Sequence, residues 1–249
     1  MWLLVKGGVL KLGKVFRLPS WQRLKPLLVG GAAVQLRALA LNMVFLAVTR
    51  KTQALDETGI LAAAHAITIQ LWQLGGVVLF GISGAAAVMV PSELGKANGG
   101  KESARALANR LLAWGLLTGV ALGFAQLAFL PLLPLFSPLP EVQKAAVMPS
   151  IIGAALQTIN GLVFIGEGIM QGTGSFRFLA GSTLVATAGM LLSLDALAKP
   201  VAAGGLGLNG VWACFFVFNV IRLAAVALFH LKVGPLAVRN LGRAPSTAS

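Results

Sequence analysis

The stretch AAAHAITIQLWQLGGVVLFGISGAAAVMVPSELGKAN, Ala62 to Asn98, decides the fold. From Ile60 to Val90 no side chain carries a formal charge. At about 1.5 Å per residue, such a helix outruns the ~30 Å hydrocarbon core of a bilayer. It must therefore tilt, kink or protrude. Gly75, Gly76, Gly81 and Gly84 supply places to bend and a smooth face for a neighbouring helix, and Pro91 is expected to mark its end.

Further uncharged runs of membrane-spanning length follow in both directions. The expected architecture is all-α, a polytopic membrane protein of six transmembrane helices at about 27–49, 60–90, 111–130, 147–170, 178–194 and 207–231. Composition agrees. The 249 residues are 57% hydrophobic and 11% charged, with a mean hydropathy of +0.85, whereas soluble domains carry roughly a quarter charged residues. A water-soluble fold is excluded. Residues 1–26 alternate apolar and basic groups without the apolar core or small-residue cleavage site of a signal peptide, and fit a helix lying in the membrane surface. Residues 232–249 form a polar tail.

A net charge of +13 would ordinarily raise nucleic acid as a partner. Here Lys and Arg fall in the gaps between apolar runs rather than on one periodic face, so the partner they imply is the lipid bilayer. Alternate connections divide them unevenly. Fourteen lie in the amino-terminal stretch, the connection after the second span, the short one at Arg177 and the tail. The other connections hold only Arg50, Lys51, Lys144 and Lys199. Positive loops stay in the cytoplasm, so both termini are expected on the cytoplasmic face, or on the stromal face of a plastid membrane. Cys214 is the sole cysteine, which rules out an internal disulfide and any thiol zinc cluster.

Polar groups inside spans are the informative ones, because hydrocarbon penalises each by several kcal/mol if it is unpaired. The first span contains Gln35, Arg37 and Asn42, the second Gln70 and Gln73, the fourth Gln157, Asn160 and Glu167, and the sixth Asn219 and Arg222. Arg37 either pairs, snorkels or meets a solute. Arg222 either snorkels or neutralises Glu167 across the bundle. His65, Gln70, Gln73 and Gln157 also suit plain packing and helix bridging.

Three linked stretches resemble one family: QLRALALN at Gln35–Asn42, the Ala62–Asn98 stretch, and GEGIMQGTGSFRFLA at Gly166–Ala180. Together they look like the carboxy-terminal six-helix lobe of a multidrug and toxic compound extrusion (MATE) transporter, of its DinF-like branch. The resemblance implies secondary active efflux of an organic solute, often cationic or amphipathic, driven by a proton or sodium gradient and needing no cofactor. It also implies a partner, the missing amino-terminal lobe or a second copy of this one. In several relatives an acidic residue of the fourth span helps bind the coupling cation. The matching position here is Asn160, which cannot exchange a proton. Glu167 matches an acidic residue just before the G-x-G turn.

The expected solute and cation pathway is therefore Gln35, Arg37, Asn42, Gln70, Asn160 and Glu167. No catalytic or metal residue is expected. The alternative is a truncated or structural membrane protein without transport. A remote alternative arises from GISG at Gly81–Gly84, since a serine between glycines in six helices is similar to rhomboid intramembrane serine proteases. His65 lies on the same helix as Ser83, about 27 Å away along its axis, and His230 at the end of the last span, which argues against that reading. Abundant Ala and Gly with no Tyr fits a GC-rich bacterial or algal genome. The membrane is then a bacterial plasma membrane or a plastid envelope.

Overall fold

A computed structural model describes residues 20–96 and 100–241 of the chain. Those residues form six helices long and apolar enough to cross a membrane, and no strand is present among them. They are α1 (Trp21–Ala54), α2 (Ile60–Leu94), α3 (Gly100–Ala128), α4 (Pro140–Gly172), α5 (Phe176–Leu197) and α6 (Gly207–Leu228). Of the expected surface segment, residues 1–19 lie outside the described residues, while Trp21 to Pro26 open α1. The end of the expected tail, residues 242–249, also lies outside them.

The helices overrun their apolar cores. α2 continues past Pro91 to Leu94, since a proline in the last turn removes one backbone bond without preventing the final residues from staying helical. α3 begins eleven residues before its greasy part, at Gly100 rather than near Leu111. Its basic start docks on the carboxy-terminal segment: Lys101 Nζ donates to the Asn240 carbonyl at 3.0 Å, and the Arg105 guanidinium donates to the Leu236 carbonyl.

α2, α3 and α4 pack as one triplet, α1, α5 and α6 as another, and α4 against α6 joins the two. α4 is the most enclosed of the six and α1 the most exposed. Small residues let backbones approach around α4, the usual device where lipid removes the hydrophobic drive for helix association. Gly115, Gly119 and Gly123 of α3, four apart and so on one stripe, face Gly161, the Gln157–Thr158 backbone and Ala154. A Cβ on Gly161 would sit 2.1 Å from the Gly115 carbonyl oxygen. On α2 only Gly75 makes such an approach, to the Gln157 amide; Gly81 and Gly84 face open space.

The α1–α2 turn is held by a carboxylate. Asp56 accepts from the Thr58 backbone N–H at 2.9 Å, the Thr58 hydroxyl at 2.6 Å and the Leu61 N–H at 3.2 Å, while Gly59 takes the left-handed conformation (φ 77°) that its lack of a Cβ permits. The Thr58 hydroxyl, then backbone N–H groups, hold the Asp56 carboxyl below its usual pKa. A depressed folded-state pKa gives stability present above the unfolded value and lost as pH falls through the folded one. Asp56→Ala is therefore expected to lower the melting temperature at neutral pH, the two proteins converging once the carboxyl is protonated. Thermal unfolding in detergent across that range checks it.

Candidate functional site

The two triplets splay apart between α1 and α2, which touch little despite being consecutive. The gap is a cavity of about 360 Å³. Its walls come from four helices: Arg37, Leu41, Val44 and Phe45 of α1, Trp72, Gln73, Gly76, Val77 and Phe80 of α2, Asn160 and Phe164 of α4, and Phe215, Phe218 and Arg222 of α6. Apart from the two arginines, the lining is mostly aromatic and aliphatic. Trp72 and Phe215 lie 5.5 Å apart between ring centroids, and Trp212 stands behind both.

Beside the cavity the two triplets are tied by charge. Arg222 grips Glu167 with two parallel bonds, Nε to Oε1 at 2.9 Å and Nη2 to Oε2 at 2.9 Å, and its Nη1 donates to Asn219 Oδ1 at 3.1 Å. The Arg37 guanidinium donates through Nη2 to the same Oε2. Each arginine thus reaches from the α1–α5–α6 triplet to a carboxylate on α4. The forked pair is the strong geometry for guanidinium and carboxylate. Arg222 Cζ also lies 5.1 Å from the Phe218 ring centroid and 5.6 Å from that of Phe164, so its charge meets aromatic faces as well. Glu167 is 5% exposed and Arg222 6%, so lipid-exposed snorkelling does not describe Arg222.

Of the six residues expected from sequence, three gather here. Arg37 and Asn160 line the cavity and Glu167 joins Arg37 to Arg222. Gln70 is exposed on α2, on the stripe that leads through Gln73 and Val77 into the cavity. Gln35 and Asn42 are exposed on another face of α1 from Arg37, Leu41 and Val44, and Asn42 Nδ2 bonds back to the Ala38 carbonyl at 3.0 Å. Gln157 bridges helices: its Nε2 donates to the Trp72 carbonyl at 2.8 Å and to Gln126 Oε1 at 3.2 Å. Arg222 is the important addition to the set. The Trp72, Phe215 and Phe218 walls had no sequence signal, being apolar residues in apolar spans.

Three buried polar atoms of cavity-lining residues have no partner among the described residues: Arg37 Nε, Trp72 Nε1 and Asn160 Oδ1. Such atoms are rare in native interiors. Ser83 is not one of them. Its hydroxyl donates to the Phe164 carbonyl at 2.7 Å against α4, and His230 pairs with Asn109, 2.7 Å from its Nε2. That arrangement packs helices and supplies no nucleophile–base pair.

Residues 36–197 match the MatE family model. Two Arabidopsis thaliana proteins are similar, DETOXIFICATION 44, chloroplastic, 31% identical over 66% of this chain and 30% of its own length, and DETOXIFICATION 45, chloroplastic, 29% identical over 73% and 32%. A MOP superfamily transporter from Pyrococcus furiosus shares the fold at a TM-score of 0.72 and 16% identity, covering 89% of this chain and 48% of that one. An outward-facing multidrug resistance MATE family transporter does so at a TM-score of 0.69 and 15% identity, over 89% and 49%. The chain spans about a third of the length of the curated relatives it matches and about half that of the solved transporters.

Proposed function

The chain belongs to the MatE family, and from that premise we propose that it is the carboxy-terminal lobe of a DinF-like secondary antiporter that exports an organic solute against a proton or sodium gradient. One observation carries the reading: a cavity walled by four helices has a buried Arg37–Glu167–Arg222 cluster at its edge. Charges within membrane spans are costly and mark solute and ion paths.

The cluster gives the lobe a two-state element. Breaking both arginine bonds would loosen the tie between the α1–α5–α6 triplet and α4, and alternating access needs such an equilibrium. In this proposal Glu167 is the ionisable member, Arg37 and Asn160 meet the solute, and Gln70 lies on its approach. Gln35 and Asn42 face the remainder of the assembly, a second lobe or another copy. The chloroplast assignment of the two Arabidopsis relatives supports a plastid envelope, with both termini on the stromal side.

The experiment is reconstitution of the two-lobe protein into vesicles and imposition of a pH or sodium gradient. Solute movement that collapses with the gradient is expected. Absence of any gradient-driven flux, with protein correctly inserted, overturns the reading.

A further inference from the structure

We propose that the cavity takes an aromatic organic anion: a flat apolar body bearing one carboxylate or an equivalent acidic group. This rests on the transport reading above and names its solute class. It departs from the cationic solute that the family resemblance implies.

The charge on the cavity wall sets the sign. Arg37 and Arg222 are the charged side chains of the lining, and Glu167, which neutralises them, is not part of the wall. Two guanidinium groups against one carboxylate leave an excess positive charge at the cavity wall, where an anion is favoured over a cation. The donors point the same way. Arg222 commits Nε and Nη2 to Glu167 and Nη1 to Asn219, so it has little left to offer. Arg37 bonds Glu167 through Nη2, while its Nε has no partner among the described residues.

An unmet guanidinium donor is the complement of an acidic oxygen. The unmet acceptor of the lining, Asn160 Oδ1, has no formal charge with which to attract a cation. An organic cation would therefore meet net repulsion. The rest of the solute is set by Phe45, Phe80, Phe164, Phe215 and Phe218, whose rings offer faces and edges for stacking. About 360 Å³ lies at the small end of the range for ligand pockets, which suits one or two fused rings.

The test uses three probes matched in shape: 1-naphthoate, 1-naphthamide and 1-naphthylmethylammonium. Their binding to the purified full chain is measured by equilibrium dialysis. Naphthoate is expected to bind about tenfold or more tighter than the ammonium, with the neutral amide between them. Arg37→Gln is expected to erase the ranking, and Arg37→Lys, which keeps the charge, to retain part of it. The wild-type ranking is decisive without either variant. Equal binding of all three probes, preference for the ammonium, or no binding of any of them overturns the inference. In reconstituted vesicles, gradient-driven flux of the ammonium without naphthoate sinks the anion assignment and leaves transport standing. Naphthoate binding without any driven flux upholds the site's chemistry and sinks the transport reading instead.

Discussion

Glu167→Gln is expected to abolish gradient-driven flux and to destabilise the lobe by about 3–5 kcal/mol, the usual cost of removing one member of a buried ion cluster. The carboxylate accepts from both arginines. Its amide replacement keeps the shape, cannot neutralise two guanidinium groups, and must turn its NH₂ toward one of them. The cost lies in the uncompensated charges left behind; the ion pairs themselves need not be worth that much relative to an apolar core. Glu167→Asp keeps the charge but shortens the reach, and is expected to lose less stability while still impairing flux. Thermal unfolding in detergent and flux in vesicles separate the two effects. A Glu167→Gln protein as stable and as active as the unaltered one would remove the cluster from both fold and mechanism.

Gly161→Leu is expected to be as damaging for a different reason. The position faces the backbone of α3, not a side chain that can turn aside, and even a Cβ would stand 2.1 Å from the Gly115 carbonyl oxygen. Overpacking of a well-filled core typically costs about 1–3 kcal/mol, and a leucine against backbone falls at or beyond the upper end. α3 would have to leave the groove, and the α2–α3–α4 triplet would come apart. Gly81→Leu is the control, since Gly81 faces open space, and a substitution at such a surface usually stays within about 0.5 kcal/mol. Loss of monodisperse protein with Gly161→Leu alone is the expected outcome. Equal tolerance of both leucines would contradict the packing described for α4.

The six helices were legible because lipid is an unforgiving solvent: long uncharged runs have few alternatives. Their ends were less so. Pro91 reads as a stop in sequence, yet it costs one bond and α2 goes on to Leu94. The basic residues from Lys101 to Arg110 read as a loop, yet they form the first turns of α3, because Lys101 and Arg105 find carbonyl partners in the carboxy-terminal segment that hydropathy cannot reveal. The candidate site divides in the same way. Arg37 and Glu167 stand out as charges in apolar spans. That Arg222, fifty-five positions away from Glu167, is the one to grip it requires the packing of α4 on α6. Trp72, Phe215 and Phe218 were invisible as lining, since an aromatic residue in a membrane helix looks the same facing lipid, protein or solute.

If the cavity is a solute path, water and not lipid is expected to fill the gap between α1 and α2. Cys214, the sole cysteine, is fully buried, so a Cys214→Ala background permits single thiols to be placed at will. Gln73→Cys would sit on the cavity wall and Val185→Cys on the outer face of α5, both exposed in the isolated lobe. In the membrane-embedded protein, a membrane-impermeant thiol reagent is predicted to modify Gln73→Cys and to leave Val185→Cys untouched. Equal modification of the two, or modification of Val185→Cys alone, would contradict the account.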